Sequence, residues 1–103
     1  MSYEPERISI GIMPTSSGVI CDSNHVDKTI NNLILHNTLD DDNVQMYYND
    51  GSGNYQIYNI VITENETVVI DYIEDGLVLP SGSFILGQAE ASGVSYVFSG
   101  QTQ

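Results

Sequence analysis

At 103 residues and 41% hydrophobic composition, the chain can build one hydrophobic core but not two, so a single domain over residues 1–103 is expected. Fourteen acidic residues against two basic ones, Arg7 and Lys28, give a formal net charge of −12. Such a chain repels nucleic-acid phosphates and anionic lipid, which excludes both as partners and leaves solubility, or docking onto a basic protein surface, as the use of the charge.

The N-terminal segment Met-Ser-Tyr-Glu-Pro-Glu-Arg lacks a basic stretch followed by an apolar one, and no later run approaches the ~20 apolar residues that span a bilayer. A soluble protein of a reducing cytoplasm is therefore expected, with residues 1–6 and 100–103 as flexible ends. From Arg7 onward the apolar period is two, the mark of strands that face core and solvent alternately. Ile8, Ile10 and Ile12 alternate with Arg7, Ser9 and Gly11, which predicts an inward row of isoleucines. The lone Cys21 cannot form an intramolecular disulfide, so a buried thiol is expected in the second strand. The stretch from Val26 to Leu35 has approximate helical spacing, but Leu33-Ile34-Leu35 suits a strand buried on both faces better.

Asp40-Asp41-Asp42-Asn43 reads as a solvated loop before the alternating run Val44, Met46, Tyr48. Asn49-Asp50-Gly51-Ser52-Gly53-Asn54 is the strongest hairpin signal, with two glycines able to take positive φ. Thr63-Glu64-Asn65-Glu66, Pro80-Ser81-Gly82-Ser83 and Ala91-Ser92-Gly93 are further turns, and Val68, Ile70, Tyr72 and Val94, Tyr96, Phe98 are further inward rows. The predicted strands are 7–13, 17–22, 28–37, 44–49, 54–62, 67–73, 77–87 and 94–99, with the third, fifth and seventh open to interruption. About eight short strands at this spacing indicate an all-β domain, a single antiparallel β-sandwich.

The residues that could carry chemistry are few. Asp50, Ser52 and Asn54 match the start of a calcium-binding loop, yet Tyr55 stands where that loop needs glycine and Val61 where it needs a bidentate glutamate, so a plain hairpin is the better reading. The Asp40–Asp42 run offers hard oxygen ligands without a motif. Cys21, His25 and His36 are the nitrogen and sulfur candidates; a strand cannot bring Cys21 and His25 together as ligands, and no orienting acid or glycine-rich oxyanion loop accompanies them as a nucleophilic pair. Glu64 with Glu66 and Asp71 with Glu74 read as solvated carboxylates, and Asn65-Glu66-Thr67 is a glycosylation sequon without a secretory context. The expectation is a protein with no enzymatic activity, cofactor or metal.

Tyrosine is the exception, because Tyr47, Tyr48, Tyr55 and Tyr58 bracket one hairpin and adjacent strand residues face opposite ways. Tyr47 or Tyr48 must point outward, where a ring can stack on sugar or anchor a protein interface.

The order of segments resembles small jelly-roll proteins of tailed-bacteriophage virions, those that decorate or cement the head. The resemblance runs over residues 16 to 99: Asn31-Asn32-Leu33-Ile34-Leu35-His36-Asn37-Thr38, a polar loop, the hairpin Val44-Gln45-Met46-Tyr47-Tyr48 with Tyr55-Gln56-Ile57-Tyr58, the step Leu77-Val78-Leu79-Pro80-Ser81-Gly82, and a last hairpin from Ala89 to Phe98. The turn before the third strand, Asp22 to Lys28, departs from the family pattern except at Lys28. The resemblance implies a jelly-roll-like sandwich on the capsid surface, a homo-oligomer, as a trimer or else a dimer, seated on the major capsid protein. It implies contact through the N-terminal segment, with Tyr3 and Arg7, or through the hairpin with Tyr47, Tyr48, Tyr55 and Tyr58. A carbohydrate- or receptor-binding module of a tail or tail fibre is the alternative.

Overall fold

Alternating Ile, Val, Tyr and Thr, punctuated by glycine and asparagine turns, produces nine strands in the computed structural model, which describes residues 6–23, 26–72 and 76–102. They are β1 (Glu6–Ile12), β2 (Gly18–Asp22), β3 (Lys28–Asn37), β4 (Asp42–Asn49), β5 (Asn54–Ile62), β6 (Thr67–Asp71), β7 (Leu77–Leu79), β8 (Phe84–Gln88) and β9 (Val94–Thr102). One sheet has the order β1-β9-β3-β6, with β7 continuing the β6 edge along β3; the other has the order β2-β8-β4-β5. Every pairing is antiparallel. The pairs are nested, β4 with β5 innermost and β1 with β9 outermost, as in one long hairpin rolled around a core, which is the jelly-roll arrangement of a β-sandwich.

The expected inward rows of β4, β6 and β9 occur. Val44, Met46, Val94, Tyr96 and Phe98 are buried, while Tyr48, Val68, Ile70 and Tyr72 pack against them in part. The predicted segment 77–87 divides at Pro80–Ser83, because Leu79 and Ile85 both reach the core from different sheets. The hairpin forms where expected, but only Gly51 of its two glycines takes a positive φ, of 96°.

The first strand departs from its expected row. A bulge between Arg7 and Ser9 shifts the register against β9. Beyond it the parity is reversed: Ser9 donates its hydroxyl to the Ile20 carbonyl at 2.6 Å, Gly11 leaves room for the Tyr96 ring, and Ile10 and Ile12 are 56% and 59% exposed. Only Ile8 of the three packs against the core. The last strand is longer than the predicted 94–99, since Gly100, Gln101 and Thr102 stay in the ladder opposite Ile30, Thr29 and Lys28. Residues 100–102 thus belong to the sheet and are not a free end.

Two buried polar side chains lock the sheets at one end. Asn37, fully buried at the end of β3, donates its amide to the carbonyls of Asp40 (2.8 Å) and Ile62 (2.9 Å) and accepts from the Leu39 N–H at 3.1 Å. Its backbone exchanges hydrogen bonds with the β5–β6 turn, donating to Glu66 and accepting from Asn65. Asp42, 3% exposed at the start of β4, accepts from the N–H groups of Glu90 (2.8 Å) and Ala91 (3.0 Å) in the β8–β9 turn. Each satisfies backbone groups that would otherwise be costly to bury at a crossing between sheets.

Asn37→Ala should lower stability by about 2–3 kcal/mol, read as a fall in Tm of roughly 10 °C or more, whereas Asn43→Ala on the outer face should stay within about 0.5 kcal/mol. Gly100→Ala should be at least as damaging as Asn37→Ala in the same melts, because a Cβ there would lie 1.9 Å from the Thr29 carbonyl oxygen.

Candidate interaction surfaces

Strand parity and the bulges decide what each outer face presents. On the β1-β9-β3-β6 sheet the inward positions are Val94, Tyr96, Phe98 and Gly100 of β9 and Ile30, Leu33, Leu35 and Asn37 of β3. The residues between them face outward, and the ladder aligns them in rows. Ile10 pairs with Val97, Val97 with Ile34, and Ile34 with Val69, so one apolar side chain from each strand forms an unbroken row across the sheet. Ile10 and Val69 at its ends are 56% and 53% exposed.

On one side of this row runs Ile12, Ser95, His36, Thr67, in which His36 Nδ1 and Thr67 Oγ1 are hydrogen-bonded at 2.7 Å. On the other side runs Arg7, Ser99, Asn32, Asp71. Asn32 Oδ1 in that row is buried without a hydrogen-bond partner.

On the outer face of the other sheet, amides from β4 and β5 form a network beside the apolar side chains of Val19, Leu86 and Val61. Asn43 donates to Asn59 at 2.8 Å, Gln45 to Asn43 at 3.2 Å, and the Tyr47 hydroxyl to Gln45 at 2.9 Å. Gln56 reaches the Tyr47 hydroxyl at 3.5 Å, and Leu86 lies beside Tyr47 on β8.

Acidic side chains are concentrated at the ends. Asp40, Asp41, Asp42, Glu64 and Glu90 line a hollow of about 350 Å³ together with Thr38, Leu39 and Ala91. Two of its carboxylates are engaged with the backbone: Asp41 accepts from the Glu64 N–H at 3.1 Å, and Asp42 is held as described above. At the opposite end Asp50 Oδ1 accepts from the Ser52 N–H and hydroxyl, both at 2.9 Å, and from the Gly53 N–H at 3.1 Å. These bonds, that of the Ser52 N–H foremost, hold the Asp50 carboxyl below its ordinary pKa. Among the described residues no group of three His, Cys, Asp or Glu side chains is arranged to hold a metal ion.

The tyrosines singled out from the sequence do not form one surface. Tyr47 faces outward within the amide network. Tyr48 turns inward, and its hydroxyl donates to the Val78 carbonyl at 3.0 Å, linking the two sheets. A bulge between Met46 and Tyr47 in the β4–β5 ladder brings Tyr58 opposite Met46, where it packs against the core and shares a hydrogen bond with the Tyr72 hydroxyl. Burial, and then this bond, raise the Tyr72 pKa above its ordinary value. Tyr55 stands opposite Tyr48 at the end of the ladder beside the hairpin and is 57% exposed. Arg7 lies at the β1 edge of the first sheet, while Tyr3, His25 and Glu74 lie outside the described residues.

The apolar outer row was not among the sequence candidates. Its signal is the apolar triplets Leu33-Ile34-Leu35, Val68-Val69-Ile70 and Tyr96-Val97-Phe98, whose flanking members face the core and force the middle one outward. Cys21, by contrast, is buried against the core, and loss of solvation raises its thiol pKa from 9.0 to about 11. It is a neutral thiol at physiological pH.

No protein-family model matches the chain, and no curated protein matches its sequence.

Because the folded thiol ionises less readily than the unfolded one, its contribution to stability is whole below about pH 9 and is lost as the pH rises to about 11, a change on the order of 2 kcal/mol. Tyr72 acts in the same direction above its ordinary pKa. Urea midpoints at pH 8 and pH 10.5 should therefore fall less for Cys21→Ala than for the wild type, and an equal fall would remove Cys21 as a source.

Proposed function

We propose that the chain is a structural protein of a virion that acts by surface contact without catalysis, a decoration protein bound to the major capsid protein on the outside of a phage head. The observation that carries the contact reading is that large apolar and aromatic side chains stand exposed on regular strands, among them Ile12 at 59%, Tyr55 at 57% and Val61 at 62%. Side chains fixed in a ladder lose little further freedom on binding, so they are suited to a stable interface. The virion assignment is supported by the resemblance of segment order, and the jelly-roll topology is compatible with it; fold alone does not decide function.

Within this reading the β4–β5 hairpin is the contact with the capsid. Its loop is rigid for its size: besides the Asp50 bonds, Asn49 accepts from the Gly51 N–H at 2.7 Å and donates to Asn54 at 2.6 Å. Tyr55 is mounted beside this loop. Many copies, each bound modestly, would stabilise a closed shell through multivalency.

A second reading, a glycan-binding module, is favoured by the outward Tyr47 set among amide side chains, a chemistry suited to stacking on a sugar ring and bonding its hydroxyls.

Purified protein should bind heads that lack it and raise their melting temperature, and Tyr55→Ala should weaken that binding about tenfold while changing the protein's own stability by less than about 0.5 kcal/mol. Heads equally stable with and without the protein, and no binding to them, would exclude the decoration role. Glycan-array binding abolished by Tyr47→Ala would establish the second reading instead.

A further inference from the structure

Among the described residues, the three outward rows of the β1-β9-β3-β6 sheet carry two charged positions in a chain of net charge −12, and these are of opposite sign. Arg7 and Asp71 occupy the two ends of a single row, Arg7, Ser99, Asn32, Asp71. Three inter-strand steps separate them, about 14 Å, so they are too far apart to pair within one copy. Next to that row lies the apolar row Ile10, Val97, Ile34, Val69.

We propose that two copies of this chain pair through this face about a twofold axis that runs parallel to the strands between β9 and β3. Rotation about this axis keeps each row over itself and reverses its order. β1 of one copy then lies over β6 of the other. Arg7 meets the second copy's Asp71, and Asp71 meets its Arg7, giving two ion pairs at the rims of the interface. Between them Ile10 lies over Val69 and Val97 over Ile34, so the apolar row is buried along its whole length. Asn32 comes to face the second copy's Ser99, so the middle of this row is polar on both copies.

The competing in-plane twofold, perpendicular to the strands, would set Arg7 over Ile12 and bury its charge against an apolar side chain. Charge pairing therefore selects the strand-parallel axis. The two faces would pack as aligned sheets do, with side chains interlocking about 10 Å apart.

Four strands about 4.8 Å apart and some seven residues long make a face of about 450 Å², roughly half of the 800 Å² per partner of standard stable complexes, as weak associations have. The pair is accordingly expected to dissociate in the micromolar range. It is the second of the two arrangements, trimer or dimer, that the resemblance implies. The pairing does not rest on the virion reading, and the hairpins with Tyr55 lie on the other sheet of each copy.

Sedimentation equilibrium of the full chain from about 5 μM to 1 mM should show a monomer–dimer equilibrium, and Val69→Lys, at an exposed position, should raise the dissociation constant about tenfold or more. Arg7→Asp and Asp71→Arg should each weaken the dimer, and the two together should restore it to within about twofold of wild type. A monomer at all concentrations, a trimer, a dimer indifferent to Val69→Lys, or a double reversal no tighter than the single ones would overturn the proposal. Circular dichroism melts of each variant identify loss of fold, and Val69→Ser replaces Val69→Lys if the lysine variant does not fold. Capsid binding tested separately through Tyr55 can fail while the dimer persists, and the reverse.

Discussion

The amide of Asn37 is the contact on which the sandwich depends. It lies where β3 leaves one sheet and the chain crosses to β4 in the other, and it holds carbonyls from both sides of that crossing. In a rolled hairpin the partner strands are far apart in sequence, so there is little local structure to position them before the sheets meet. A buried side chain with two donors and one acceptor, all used, specifies one arrangement of the crossing, and an apolar residue of the same size would take the side-chain partner from three backbone groups, the Ile62 carbonyl among them in a buried place. Asp42 does the same for the β8–β9 turn. Together they tie β3, β4, the end of β5, and the β5–β6 and β8–β9 turns into one end of the molecule.

With the crossings secured by polar groups inside, the acidic residues are free to collect in the loops. The hollow at the Asn37 end is lined by five carboxylates, and the hairpin end carries Asp50, while the rows of the two sheet faces contain few charges. The faces differ in character. One offers isoleucine and valine in a straight row; the other sets Val19, Leu86 and Val61 beside a hydrogen-bonded ladder of asparagine, glutamine and tyrosine. This division explains how a chain so acidic can present an apolar face at all.

Much of this was legible in the sequence, for physical reasons that also mark where legibility ended. Turn chemistry and two-residue alternation are local, so the strands and the Asp50 hairpin could be read from neighbouring residues. The β1 parity could not, because a single bulged residue at Ile8 reverses every side chain that follows, and nothing in Arg-Ile-Ser-Ile-Gly-Ile announces it. The tyrosines were misleading for the same reason: the bulge beside Tyr47 turns Tyr58 inward to Tyr72, so a cluster in sequence becomes two core residues and two separated surface ones. The outer apolar row was present in the sequence as triplets, but its meaning depends on knowing that the sheet has one open face. Asn37 and Asp42 looked like the end of a strand and part of an acidic loop; their roles come from strands that only the fold brings near. The Asn37–Thr38 step that carries part of the virion resemblance thus has a sufficient reason in the architecture itself.

The placement of charge at the ends has a consequence for how copies order when they are crowded. Two such molecules approaching tip to tip bring carboxylates against carboxylates, whereas molecules approaching broadside meet neutral surface. Growth by stacking along the strand axis is therefore opposed, and lateral neighbours are tolerated.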